Sequence, residues 1–203
     1  MKPILLSAAG NPENQDRGLV VQDGLRAILC VADGAGGRSG GMEAAMMATE
    51  FIRKNSSQMD DAVTCSELLR KMDDMIAQDP IAGETTCAVA VITSTEIFGA
   101  SVGDSGIWFI PDEGVAHQDL SRSQHRKPFI GTGGAWPAPF HRPMQKGSLL
   151  LATDGLLKYT SADQITGICR KYPADLATQH LIELVRYPSG ALPDDVTVIV
   201  TNL

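Results

Sequence analysis

The stretch from Gly18 to Gly41, GLVVQDGLRAILCVADGAGGRSGG, decides how the rest of the chain is read. Two apolar runs flank Gln22-Asp23-Gly24, and Asp-Gly between such runs is a strong hairpin signal. Two antiparallel strands are therefore predicted within residues 18–32. The second run, AILCVA, stops at one carboxylate, Asp33, and glycine then fills positions 34, 36, 37, 40 and 41. Glycine costs backbone entropy unless close approach or unusual dihedrals require it. Five glycines beside one acid imply that the backbone comes close to something. A helical pattern follows at 42–54, with Ala45, Met46, Thr49 and Ile52 on one face.

A strand, glycines and a helix in that order also open dinucleotide sites. Here residues 34–39, GAGGRS, lack the third glycine of G-x-G-x-x-G, and no Gly-Lys-Ser/Thr follows. The remaining chain lacks βαβ alternation as well. Residues 61–78 read as a second helix, with Val63, Leu68, Leu69, Met72 and Ile76 as its apolar stripe. Strand-like runs follow at 85–93, 96–102 and 106–110. Residues 121–147 hold four prolines and four glycines and keep no period, so an irregular lid is predicted there. Beyond it come a buried strand (148–153), a capping box at Ser161–Gln164, a helix at 174–186 carrying Leu176, Leu181 and Val185, and a β-branched strand at 196–202. Strands outnumber helices and hairpins dominate, which predicts an α+β fold with antiparallel sheet, one domain over residues 1–203.

Of the 203 residues, 43% are hydrophobic and 20% charged, ordinary values for a globular protein. A net charge of −7 argues against nucleic acid as a partner but not against cations. Cys30, Cys65, Cys87 and Cys169 form no C-x-x-C pair, and Cys30 and Cys87 read as small buried apolar residues. The first residues carry too short an apolar stretch for a signal peptide, and no segment approaches the roughly 20 apolar residues that span a bilayer. The expectation is a cytoplasmic monomer with no membrane partner.

Asp33 is one of five acids at the edge of an apolar run beside glycine or a turn. The others are Asp16 in ENQDRG, Asp104 in ASVGDSG, Asp154 in LLLATDG and Asp194 in PDDVTVIV. One such residue is ordinary turn chemistry. Several at the ends of buried strands repel one another unless a cation sits among them. An all-oxygen site suits Mg²⁺ or Mn²⁺ rather than zinc or copper. On this reading the glycines after Asp33 let a backbone carbonyl approach a metal.

These motifs, in this order, resemble the PPM-type metal-dependent Ser/Thr protein phosphatases, the protein phosphatase 2C-like family. ENQDR is similar to its N-terminal Glu-Asp motif, and VADGAGGRSGG to its Asp-Gly-x-Gly-Gly loop. GETTCAVAVI, SVGDSGIWF, LLLATDGLLKY and PDDVTVIVTN resemble the four motifs that follow, so the resemblance covers nearly the whole chain. It implies an αββα sandwich, two antiparallel sheets flanked by helices, with metals at one end. It implies that Asp33 bridges two ions, that the Gly34 carbonyl binds one and that Asp154 and Asp194 bind the other. It also assigns Asp104, with Asp154, to a third and weaker site, and Asp16 to orienting bound water. Asp16, Asp33, Asp154 and Asp194 are the implied catalytic set. Two divalent cations roughly 3.5–4 Å apart hold a bridging hydroxide and polarise a phosphoryl oxygen, so phosphoserine and phosphothreonine are the implied substrates. The implied partner is a phosphorylated protein, such as a Ser/Thr kinase or its target in signal transduction. A compact catalytic domain resembles the family's bacterial members.

The chain departs from the family at several positions. Asn11 stands where the phosphate-binding arginine would be, Gln15 replaces a glutamate, Ala35 stands where some members carry a histidine acid, Asp195 replaces an asparagine and Gly106 an arginine. Arg17 and Arg126 are the candidates for phosphate binding, with Arg38 a further one; His125 and His141 are candidate acids. Residues 121–147 correspond to an abbreviated flap. They carry Arg122, Arg126, Lys127, Arg142 and Lys146, with no acid between Asp119 and Asp154. This is either a solvated loop or a basic gate for a phosphoprotein, and Trp136 is expected to pack it down. The alternative to an enzyme is a phosphatase-like metal-binding interaction module of weak or no activity.

Overall fold

Strand β3 (Arg26–Asp33) explains the layering. Its residues Ala27, Leu29 and Val31 belong to one buried cluster and Ile28, Cys30 and Ala32 to another, so both faces of the strand are covered. Successive side chains point to opposite faces, and a strand buried on both reads as a continuous apolar run. The computed structural model describes residues 1–35, 39–114 and 116–203. Gly36, Gly37 and Arg38 lie outside the described residues, and with them the expectations placed on these glycines and on Arg38.

One sheet runs in the order β2 (Asp16–Asp23), β3, β4 (Cys87–Ile92), β5 (Glu96–Val102), β8 (Ala138–Pro143). The other runs β1 (Ile4–Ala8), β10 (Val196–Asn202), β9 (Gly147–Ala152), β6 (Gly106–Pro111), β7 (Gln118–Asp119). Every described pairing is antiparallel. Leu29, Val31, Ile97, Phe109, Leu149, Leu151 and Ile199 fill the space between the sheets. Helices α1 (Gly41–Lys54) and α2 (Ala62–Ala77) cover the first sheet; α4 (Ala162–Lys171) and α5 (Ala174–Leu184) cover the second, and α3 (Asp154–Leu157) is a single turn after β9. This is the αββα sandwich. No described helix is long and apolar enough to cross a membrane.

The glycine-rich stretch makes backbone meet backbone. A Cβ at Gly34 would collide with the carbonyl of Gly41 at the start of α1. Gly40 has φ 90, and a Cβ there would strike the carbonyl of Ile81. Gly83 N donates to Gly40 O at 2.7 Å, tying the start of α1 to the segment before β4. So at Gly34 and Gly41 the close approach is between strand end and helix start, and at Gly40 between helix start and the segment before β4, not only toward a ligand.

The predicted helix faces are one residue out of phase in places. α1 buries Ala44, Ala45, Ala48 and Ile52 but exposes Met46; Val63 and Leu176 are also exposed, while Leu68, Leu69, Met72, Ile76 and Leu181 are buried. The predicted lid is not wholly irregular. Ala138–Pro143 forms β8, paired with β5 from Glu96↔Pro143 to Ser101↔Ala138, and Ile130 bridges Thr85. Proline hides this strand from a periodicity reading, and a sheet edge is where proline is tolerated. Trp136 is exposed, with the Arg70 guanidinium 5.0 Å from its ring, rather than packed into the core. The four cysteines are free and buried, and Cys30 Sγ lies 3.7 Å from Cys87 Sγ.

Candidate active site

Antiparallel pairing carries the predicted carboxylates to one end of the sandwich. Asp16 opens β2 and is the register partner of Asp33, which closes β3. Asp104 lies in the turn between β5 and β6, Asp154 follows β9, and Asp194 precedes β10, whose Val198 pairs with Ala152. A cleft of about 460 Å³ opens at this end, and Asp33, Gly34, Asp104, Asp154 and Asp194 all line it. Asp16 is buried beside Asp33.

Neighbouring groups hold these carboxylates in place. Thr153 Oγ1 donates to Asp16 Oδ2 at 2.7 Å and accepts from Thr197 N at 2.9 Å, so the residue after β9 joins Asp16 of the first sheet to β10 of the second. Thr86 Oγ1 accepts from Asp33 N at 3.0 Å and pairs with Ser105 Oγ at 2.7 Å. Asn11 Nδ2 donates to Asp194 Oδ1 at 3.1 Å, so Asn11 positions a carboxylate instead of acting as a cation. Asp195 accepts from the backbone N–H groups of Gly10, Asn11 and Gln15 at 2.8, 3.0 and 2.9 Å, fixing the loop that presents Asn11 and Gln15 to the cleft. Sequence reasoning noted Asp195 only as a replacement and missed Thr86 and Thr153. Their signal was a hydroxyl next to an acid or at a strand entry, too common to single them out.

The basic side of the cleft is narrower than the predicted gate. Arg126, Lys127 and Phe129 line it, whereas Arg122, Arg142 and Lys146 do not. Arg17 is not brought to the cleft either. Its Nη1 donates to the carbonyls of Asn14 and Asp16 at 2.8 and 2.6 Å, which holds the guanidinium on the backbone. His125 and His141 lie outside the lining, and His141 Nε2 is 2.6 Å from Glu96 Oε2. Lys158, which the sequence reading passed over, lines the cleft and forms an ion pair with Asp154 Oδ2; Arg126 Nε lies 3.1 Å from Asp104 Oδ2.

Crowding of like charge shows in the acidities. Burial, and then the charges of Asp16, Asp154 and Asp104, push the Asp33 carboxyl up to about 10. Burial pushes Asp16 up to about 7, opposed by hydrogen bonds from Thr153 and Thr197 and reinforced by Asp195 and Asp154. Lys158 is held above its ordinary range, chiefly by its bond to Asp154. A cluster that holds protons against its ordinary acidity is one that gains from a cation. The donors are all oxygen, as Mn²⁺ and Mg²⁺ prefer. Asp16 Oδ1 and Gln15 Oε1 are buried acceptors without a hydrogen-bond partner among the described residues, and both suit metal-held water. Among the described residues no group of three or more His, Cys, Asp or Glu side chains is arranged to hold a metal ion. Asp154 and Asp104 are instead engaged by Lys158 and Arg126. By its chemistry the donor set fits divalent ions.

Comparison with known proteins follows the same lines. The family described as protein phosphatase 2C matches residues 8–183. Protein phosphatase PTC7 homolog fig of Drosophila ananassae is 23% identical, over 87% of this chain and 69% of that protein. A bacterial serine phosphatase superposes with TM-score 0.82 at 18% identity, covering 100% of this chain and 97% of that one. Serine/threonine phosphatase Stp1 of Staphylococcus aureus gives 0.80 at 17% identity, covering 100% and 94%. The catalytic domain of the serine/threonine protein phosphatase PstP, solved in complex with two manganese ions, gives 0.81 at 20% identity, covering 98% and 96%. At these identities the superpositions speak for the fold.

Proposed function

The chain belongs to the protein phosphatase 2C family, and from that premise we propose that it is a metal-dependent phosphatase of phosphoserine and phosphothreonine in proteins, using Mn²⁺ or Mg²⁺. The observation that carries this reading is the convergence of Asp33, Asp104, Asp154 and Asp194, from four separate turns, on one cleft. Asp33, the Gly34 carbonyl, Asp154 and Asp194 would hold two ions. When bound, such ions lower the pKa of water towards neutrality and polarise a phosphoryl oxygen.

The chain's own residues do the rest. Asp16, fixed by Thr153, offers its free Oδ1 as a proton acceptor behind Asp33. Gln15 Oε1 accepts a hydrogen bond from water without adding charge. Arg126 and Lys127 on the cleft wall attract the phosphorylated segment, and Phe129 gives it an apolar face. No side-chain nucleophile is called for.

The test is hydrolysis of p-nitrophenyl phosphate and of a phosphoserine peptide with Mn²⁺, with chelator, and in Asp33→Asn. Turnover abolished by chelator and by the substitution supports the enzyme. Metal-independent turnover, or none on either substrate, refutes it, the latter favouring the interaction module.

A further inference from the structure

The cleft's acids are not equally compensated. Asp154 and Lys158 lie four residues apart on the turn of α3, where Lys158 N also donates to Asp154 O at 2.9 Å. The turn thus closes on itself twice, once through backbone and once through the ion pair between Lys158 Nζ and Asp154 Oδ2. Across the corner, Arg126 Nε holds Asp104 Oδ2 at 3.1 Å. Asp104 and Arg126 both lie within electrostatic reach of Lys158. The four groups form two neighbouring ion pairs, two acids and two bases with no formal charge left over. On the other wall, neither Asp33 nor Asp194 has a Lys or Arg ion-pair partner among the described residues.

We infer that Lys158, assisted by Arg126, is a tethered cation that takes the place of a third divalent ion at the Asp104–Asp154 corner, so that the cleft admits ions only on its Asp33–Asp194 side. This rests on the metal-dependent reading above. A carboxylate pair already neutralised at hydrogen-bonding distance offers a dication little further gain, and the dication would have to approach two fixed positive charges. Lys158 is the principal element because its pair is the less exposed of the two: the Lys158 and Asp154 side chains are 46% and 10% exposed, against 70% and 21% for Arg126 and Asp104, so solvent screens it less. Only Oδ2 of Asp154 is paired with Lys158, and the same carboxyl also hydrogen-bonds that of Asp33, so Asp154 still faces the Asp33 side.

The experiment counts bound Mn²⁺ by equilibrium dialysis, reading free ion by electron paramagnetic resonance, on the full chain. Wild type, Lys158→Met, Lys158→Arg and Lys127→Met are compared, with a thermal melt of each to show that it is folded. The expected result is two ions on wild type and a third on Lys158→Met, bound at least about tenfold more tightly than any further uptake by wild type. Lys158→Arg keeps the cation and stays at two. Lys127→Met removes an exposed charge of the same cleft that holds none of the four acids, and also stays at two. A folded Lys158→Met that still binds two ions, or a third ion already on wild type, overturns the inference while leaving the phosphatase reading intact. Wild type that binds no Mn²⁺ overturns both.

Discussion

Removing the Asp73 carboxylate should loosen the wall of the cleft from outside it. Asp73 belongs to α2 and is 2% exposed. Its Oδ1 accepts from the backbone N–H groups of Gly131, Thr132 and Gly133 at 2.7, 3.0 and 3.0 Å, and its Oδ2 from Ala135 at 2.8 Å. One side chain thus satisfies four donors of the segment that follows Arg126, Lys127 and Phe129. A hydrogen bond to a charged acceptor contributes roughly 1.5–3 kcal/mol net, but three donors share one oxygen and part of the loop can be rehydrated. Taking about 1 kcal/mol per donor, Asp73→Ala costs about 4 kcal/mol, a large share of the roughly 5–15 kcal/mol that stabilises a typical domain. Asp73→Asn keeps the oxygen for three donors and turns an amide N–H₂ against the buried N–H of Ala135, for about 2 kcal/mol. Urea unfolding read as a midpoint shift at constant slope measures both, and hydrogen exchange at 131–135 locates the effect. A loss under about 1 kcal/mol in Asp73→Ala, or unchanged exchange in that segment, refutes the reasoning.

The metal-free protein should lose stability as pH rises from about 4 towards 8. The unfolded carboxyls release protons near 3.8 while folded Asp16 and Asp33 hold theirs to about 7 and about 10, so the unfolded state binds fewer protons across this window and the slope is negative. At about 1.36 kcal/mol per unit the loss is up to on the order of 10 kcal/mol, measured by urea unfolding in chelator; Asp33→Asn should be the more stable protein at pH 8 without metal and the less stable with Mn²⁺. A flat profile, or the opposite order of the two proteins, contradicts this account. Asp195→Ala strands three backbone donors at Gly10, Asn11 and Gln15 and should cost about 3 kcal/mol while weakening Mn²⁺ binding, whereas wild-type affinity in that variant argues against the loop's part in the site. Neutralising Arg126 and Lys127 together should raise KM for a phosphopeptide more than for p-nitrophenyl phosphate; equal changes count against a gate.

Much of the arrangement is legible because strand identity and turn position are local properties. The hairpin around Asp23-Gly24, the runs 96–102 and 196–202, and the box at Ser161 and Gln164 stand in the structure as the residues predict. The acids are legible for the same reason, since an antiparallel sheet gathers alternate strand ends at one edge. What stays hidden depends on the third dimension. β8 holds two prolines, Pro139 and Pro143, at an edge that tolerates them, and β1, a five-residue edge strand, offers too short an alternation. Met46 and Val63 share the composition of a core face but sit just off its centre, which only the packed neighbours define. Asp73 looks like one more charge on a helix until the loop closes over it. Lys158 did carry a signal, four residues after Asp154 on a turn. That spacing is common on helices and does not by itself mark a cation that belongs to a site.

The hydroxyl of Thr153 deserves a last consequence. It stitches Asp16 on one sheet to Thr197 on the other, at the open end of the sandwich. An ion bound beside Asp16 and Asp33 would therefore load the seam between the two layers. Metal binding and the docking of the two sheets would then be linked, each favouring the other.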